Sequence, residues 1–219
     1  MSLKGGREEH FGPIAAFFYR ALAERALAPM HARIAAELPL EKGSLLDVGC
    51  GPGRLTRLIG AARPGVSVTG LDLSADMIRQ AERGPKLPNV VFRQGRPASL
   101  ADADAFDFAV SVLSFHHWEE PTAELAGIHR ALKPGGRLWI YEQDPEADPK
   151  DMHADRAPLP FGLRMPLFFQ RRLARGHGFS MREVEEKVRP AVARTPFGAV
   201  SAARSGGCLR LELRKQKLE

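Results

Sequence analysis

The sequence predicts an α/β fold in which a mostly parallel sheet is wound by helices on both faces. Three observations predict it. Apolar periodicity switches repeatedly between strand-like and helical from about residue 40 to residue 144, a glycine-rich turn joins the first strand to the first helix after it, and an acid ends the next strand. The chain of 219 residues is 44% hydrophobic and 26% charged, which suits one compact domain and excludes disorder throughout.

Taken in order, residues 13–38 read as a helical cap broken near Pro29, with Phe17, Phe18, Ala21, Leu22, Ile34 and Leu38 at helical spacing. Ser44–Val48 reads as a buried strand, Arg54–Ala62 as a helix, Ser67–Asp72 as a strand, Ala75–Arg83 as a helix capped by Ser74, and Val90–Arg93 as a strand. The beat continues with strand Phe106–Val112, helix Pro121–Leu132, the turn Lys133-Pro134-Gly135-Gly136 and strand Arg137–Glu142. Parallel strands joined by helical crossovers make a doubly wound sheet. After Asp144 the rhythm gives way to a Pro-rich stretch reaching about Gly178. A helix then starts at Met181, with Ser180 and Glu183 in capping-box positions. Strands Gly198–Ala203 and Cys208–Arg214 flank the loop Arg204-Ser205-Gly206-Gly207 as an antiparallel hairpin, which brings the strands to seven.

Gly49, Gly51 and Gly53 alternate in the turn after the first strand, so a ligand can approach the backbone there without meeting side chains. A dinucleotide site wants a further glycine at position 54, and Arg54 stands there, which disfavours nicotinamide and flavin coenzymes. Asp72, at the end of the second strand, offers the unprotonated acceptor pair that holds the two hydroxyls of a ribose; a helix cap is the plainer role.

These residues resemble the class I S-adenosylmethionine-dependent methyltransferases, within them the ubiquinone/menaquinone-biosynthesis-like group. Leu45–Gly53 is similar to that family's first motif, Asp72 to its ribose-binding acid, Phe106–Trp118 to its fourth-strand motif, and Leu132–Leu138 to the turn before its fifth strand. The resemblance implies a Rossmann-like sheet of order 3-2-1-4-5-7-6 with strand 7 antiparallel, and S-adenosylmethionine as cofactor. It further implies that Asp47 reaches the methionine amino group, that Gly49, Cys50, Gly51 and Gly53 line the methionine part, and that Leu73 and Met77 lie near the adenosine. Gly95, Arg96, Pro97 and Val112 complete the implied cofactor set. Arg96 departs from the family, which carries an acid there for the adenine amino group, and arginine has no acceptor to offer. A backbone carbonyl or Asp102 is expected to take that role, with stacking by Arg96 or a weakened cofactor affinity as alternatives.

The sulfonium already activates the methyl group, so the protein has mainly to align an acceptor and exclude water. His117 is the candidate base or substrate contact, with packing of the loop as its other role; Tyr19, His116 and Tyr141 are candidate substrate contacts. Val112-Leu113-Ser114-Phe115 stands where amine methyltransferases of nucleic acids carry Asn-Pro-Pro-Tyr or Asp-Pro-Pro-Tyr, which argues against base methylation of that kind. No spacing of histidines, cysteines and acids reads as a metal-ligand set.

Charge is uneven. Residues 1–150 carry 18 basic against 19 acidic side chains, and residues 151–219 carry 14 against 7. A lid over substrate at residues 145–179, greasy and positively charged, suits an acidic or lipid-like acceptor; a membrane-surface contact, a dimer interface or solvated arginines would use the same residues. The expected organisation is one methyltransferase domain over residues 1–219: a helical cap (1–40), a cofactor-binding core (41–144), the lid (145–179), and a last helix with hairpin (180–219). Methyl transfer to a small, partly apolar acceptor is the function read. A protein or RNA methyltransferase using the basic third, which would show steep salt dependence on RNA, and a noncatalytic cofactor binder are the alternatives. Nucleic acid is not favoured as a partner. Two cysteines, no run of about 20 apolar residues and no signal-peptide core point to a reducing, cytoplasmic setting without a membrane span.

Overall fold

Residue parity along the strands sorts side chains onto two faces of one sheet, and helices cover both. The computed structural model describes residues 25–158 and 164–217, so residues 1–24 of the expected cap, Tyr19 among them, and residues 159–163 of the lid lie outside the described residues. The strands are β1 (Gly43–Val48), β2 (Val66–Asp72), β3 (Val90–Gln94), β4 (Phe106–Val112), β5 (Leu132–Gln143), β6 (Ser201–Ser205) and β7 (Cys208–Arg214). They form a seven-stranded sheet of order β3-β2-β1-β4-β5-β7-β6. β1 pairs in parallel with β2 and β4, and β7 runs antiparallel to β5 and β6.

The helices are α1 (Ala28–Glu37), α2 (Arg54–Ala62), α3 (Ala75–Arg83), α4 (Pro121–Ala131), α5 (Pro149–Ala154) and α6 (Leu167–His177). A last helical segment, α7, comprises Met181–Glu183, a π-helical turn Val184–Val188, and Arg189–Val192. Leu45, Phe108, Val110, Trp139 and Tyr141 share one face with Met30 and Ile34 of α1 and Leu55 and Ile59 of α2. Their neighbours Leu46, Val48, Ala109, Leu138 and Ile140 share the other with Leu125 and Ile128 of α4 and Val184, Val188 and Val192 of α7. This is the two-residue alternation of a strand buried on both sides. Fully burying a leucine or isoleucine stabilises by about 1.5–3 kcal/mol, so each parity error would be costly.

Arg63, just past α2, ties α1 to the sheet. Its buried guanidinium donates to the carbonyls of Ala35 at 2.6 Å and Leu38 at 3.0 Å, satisfying backbone acceptors that the end of α1 leaves unpaired.

Several expectations need correction. The Pro-rich stretch contains two helices, because Pro149 sits in the first turn of α5 and Pro166 is the cap residue of α6, positions where a missing N–H costs nothing. The Lys133–Gly136 turn falls inside β5, as an irregularity between the pairs Phe106–Leu132 and Phe108–Arg137. The hairpin reverses over Gly206 and Gly207 alone, so β6 runs to Ser205, where it pairs with Cys208, and does not end at Ala203. The expected break in the cap helix is present: a turn at Leu27 separates helical Arg25 and Ala26 from α1, in whose first turn Pro29 sits. Cys50 and Cys208 are both free and buried. Among the described residues, no helix is long and apolar enough to cross a membrane.

Candidate functional site

Strand order reverses on either side of β1, and ligands of open α/β sheets sit at the carboxyl ends of the strands at such a point. A cavity of about 470 Å³ lies there, walled by residues that follow β1, β2, β3 and β4. The glycine turn is its floor. Gly49, Gly51 and Gly53 all have positive φ, at 72°, 54° and 78°, which β-carbons resist. They serve differently. A Cβ on Gly49 would run into Ser114, reaching its Cβ at 2.5 Å, and one on Gly53 would meet the Phe92 ring at 2.5 Å. One on Gly51 would meet nothing within 4 Å. Gly53 is thus a packing glycine that opens α2 off the cavity wall, whereas Gly51 keeps the wall open.

Asp72 braces the turn. Its Oδ2 accepts the Gly51 N–H at 2.8 Å and its Oδ1 the Ser74 N–H at 2.9 Å. A carboxylate has about four lone-pair sites, so two remain for a ligand on the cavity side. Leu73 is 66% exposed and stands with Met77 on the same wall; a leucine left bare at a cavity edge is apolar surface without a partner.

Of the residues singled out from sequence, Gly49, Gly51, Asp72, Leu73, Met77, Gly95, Arg96, Pro97 and His117 line the cavity. Asp47, Cys50, Gly53, Val112, His116 and Tyr141 are not on its wall, and each has a physical reason. Asp47 belongs to the α2-facing parity, where it is buried and accepts the Thr56 hydroxyl at 2.7 Å. Burial pushes its carboxyl up to about 7, against the Thr56 hydrogen bond, and nearby Asp72 adds to the rise. The Cys50 thiol is tucked toward Gly70, and burial pushes it above its ordinary range, which removes it as a nucleophile. Tyr141 is wholly buried on the α1 face and donates to Glu37 Oε2 at 3.0 Å. Val112 packs against the α1 and α2 core.

Arg96 does not stand alone. Its Nε donates to Glu124 Oε1 at 2.7 Å, and Glu124 Oε2 accepts the Ala98 N–H at 2.9 Å. Both partners line the cavity, so an acid on α4, paired with the arginine, stands beside position 96. Asp102, the other expected substitute, is held by Arg93 at 3.0 Å. Glu124 had no sequence signal beyond being an acid on a helix. Leu113 and Ser114 were also missed. Leu113 carries a φ of 51°, rare for a non-glycine and concentrated at functional sites, and Ser114 Oγ accepts the Trp118 indole N–H at 3.2 Å. His117 has its imidazolium form disfavoured, to about 4, by burial and by His116 and His177, so it presents a neutral ring at neutral pH.

Residues 46–140 match the methyltransferase domain family. That match covers the core of the chain, from β1 to β5. The chain is 34% identical over 147 residues to trans-aconitate 2-methyltransferase of Methylobacterium nodulans, covering 64% of this chain and 54% of that protein. It is 36% identical over 131 residues to the malonyl-[acyl-carrier protein] O-methyltransferase of Pseudescherichia vulneris, covering 57% and 51%. The chain spans about half the length of the curated relatives it matches. The plantazolicin methyltransferase BpumL, solved with a monoazolic desmethylPZN analog and S-adenosylhomocysteine, shares the fold at a TM-score of 0.70 and 14% identity, covering 94% of this chain and 91% of that one.

Proposed function

We propose that this protein transfers a methyl group from S-adenosylmethionine to an oxygen of a small, partly apolar acceptor. The observation that carries the reading is the cavity at the strand-order reversal, with Gly51 open, Asp72 braced by two backbone N–H groups, and Leu73 and Met77 exposed beside it. These residues fit an adenosyl amino acid: spare carboxylate lone pairs for vicinal hydroxyls, bare apolar side chains for a base, and open backbone for the amino-acid part. The cofactor, when bound, supplies a methyl group made electrophilic by its sulfonium.

The chain's own residues hold, orient and shield. Asp72 accepts the ribose hydroxyls and keeps the glycine turn in place. Glu124, though paired with Arg96 and the Ala98 N–H, keeps one acceptor site on Oε2 for an amino group at the base-binding end. Asp47 acts from beneath the turn: its carboxyl lies close to the neutral range, so a cationic ammonium above it favours the ionised form. His117, neutral and on the cavity wall, takes a proton from an acceptor hydroxyl or orients a carboxylate that needs no deprotonation. Trp118 and Leu113 close the wall against water. Residues 145–179, with α5 and α6, act as the substrate lid of a single domain that spans the chain. One relative is named for methylating trans-aconitate and another as an O-methyltransferase of malonyl-[acyl-carrier protein], which supports an oxygen acceptor.

Calorimetric titration with S-adenosylmethionine tests the cofactor, and release of S-adenosylhomocysteine across a panel of carboxylic acids and phenols tests turnover. Binding of nicotinamide coenzymes with no response to millimolar S-adenosylmethionine would overturn the reading. Binding without turnover on any acceptor would reduce the protein to a cofactor sensor.

A further inference from the structure

Outside the glycine turn and its acid, the structure gathers three histidines. His116 and His117 form the 3-10 turn after β4, and His177 ends α6 in the expected lid. Their rings pack together, tilted for His116 and His117 with centroids 3.9 Å apart and edge-on for His116 and His177 at 5.4 Å. One ring nitrogen from each lies within 4.8 Å of the other two.

The arrangement is built. His116 is buried, and its Nδ1 is 2.7 Å from Oε2 of Glu142, a carboxylate with no exposure at the end of β5. The other carboxylate oxygen accepts the His116 backbone N–H at 3.2 Å. Glu142 therefore fixes the ring and its tautomer, with the proton on Nδ1 and the lone pair on Nε2. That Nε2 is buried and has no hydrogen-bond partner among the described residues. Leaving such a nitrogen dry and unpaired costs about 1–3 kcal/mol, so its isolation calls for a ligand. His177 is held over it from the other side. Gly178 bridges to Gln143 of β5, where a Cβ would strike the Gln143 carbonyl, and the buried Phe179 packs on Phe115 with ring centroids 5.8 Å apart.

We propose that His116, His117 and His177 bind one divalent transition-metal ion, zinc in the first instance, with Glu142 orienting the buried ligand. Imidazole donors suit zinc and its neighbours and not magnesium or calcium, and a histidine ligand whose second nitrogen faces a carboxylate is the arrangement expected of a metal site. Zinc–nitrogen bonds of about 2.0–2.1 Å set tetrahedral ligand atoms about 3.3 Å apart. Rotation of the two exposed rings closes that gap while the buried one stays. Three protein ligands leave a fourth position open. Because His117 also lines the cofactor cavity, an acceptor oxygen taking that position would stand at the cavity's edge, and His117, with its lone pair on the ion, would then serve as a ligand in place of its proton-accepting role; this link, unlike the site itself, rests on the methyl-transfer reading.

The test uses the full chain without an affinity tag, stripped by chelator and titrated with zinc against a chromophoric competitor. One zinc per chain with a submicromolar Kd is expected, and cobalt at the same stoichiometry should give the visible absorption of a four-coordinate centre. His177→Ala alters an exposed side chain and should weaken zinc at least 100-fold while S-adenosylmethionine binding, read by calorimetry, persists. Glu142→Gln should weaken zinc by about 10–100-fold. Absence of stoichiometric zinc in the natural sequence overturns the proposal, as does zinc affinity unchanged by both His177→Ala and His117→Ala. Zinc bound at these residues with no S-adenosylmethionine binding upholds the site and removes only its link to methyl transfer.

Discussion

Gly49 and Gly51 stand two residues apart in the same turn, yet alanine at the two positions should fail in opposite ways. At Gly51 the backbone φ of 54° costs a non-glycine residue about 1–2 kcal/mol. The loss of unfolded-chain freedom returns about 0.4–1 kcal/mol, leaving a net cost near 1 kcal/mol. With nothing within 4 Å of the new Cβ, no packing penalty is added. For a domain of this size that is about 2–4 °C in Tm. The methyl group would instead occupy the cavity wall, and displacing a ligand enough to lose one good polar contact costs about 1.4 kcal/mol, a factor of ten. At Gly49 the same backbone cost is joined by collision with Ser114, whose Oγ already holds the Trp118 indole. Overpacking of that sort adds about 1–3 kcal/mol, for a drop of about 5–15 °C. Thermal unfolding without ligand and calorimetric titration with S-adenosylmethionine on both variants separate the two effects. Gly51→Ala should keep its fold and lose at least tenfold in affinity. Gly51→Ala binding as the natural protein does, or unfolding as early as Gly49→Ala, would contradict these separate roles for the two glycines.

Asp47→Asn should change how stability depends on pH. With the native carboxyl pushed up to about 7 from an ordinary 3.8, the folded chain keeps a proton that the unfolded chain releases, so this residue's contribution falls as pH rises from about 4 to 7 and is constant above. The asparagine variant, whose side-chain oxygen can still accept from Thr56, should lack that slope and gain on the order of 4 kcal/mol at pH 8; urea unfolding at a series of pH values, read as the difference between the two proteins, checks it, and a gain that is no larger at pH 8 than at pH 4 contradicts it. Ser180→Ala removes one half of the capping box, the Ser180 Oγ that accepts the Glu183 N–H at 3.2 Å, and leaves the backbone N–H of residue 180 that Glu183 accepts at 3.1 Å. It should cost about 1 kcal/mol in chemical unfolding, and a loss below a few tenths would place the start of α7 under the control of packing instead.

What the sequence made legible was whatever is decided locally. α2, α3 and β4 have the limits that their caps and periodicity indicate, because Gly53 and Ser74 mark helix starts within a few residues of the strands they follow. The wall formed by Gly49, Gly51, Asp72, Leu73 and Met77 was legible for the same reason, being carried within one strand-helix-strand unit and the start of the next helix. Proline misled where it begins a helix instead of breaking one, as at α5 and α6. Asp47 and Tyr141 were read by type and position, whereas the face they occupy is decided by parity: Asp47 follows Leu45 and Tyr141 follows Trp139 onto the side of α1 and α2. Glu124 and His177 were illegible because a long stretch of chain separates each from its partner, Arg96 or His116, and only the crossover of α4 and the return of α6 bring them there.

Arg63 has a consequence for how the protein breathes. By threading its guanidinium into the carbonyls of Ala35 and Leu38, it makes the exit of α1 a dependent of the turn between α2 and β2, so the two cannot open separately without stranding a buried cation. Amide protons around Ile34 and Ala35 should therefore exchange with deuterium at the pace of the central strands, and the cap helix should melt with the sheet and not before it.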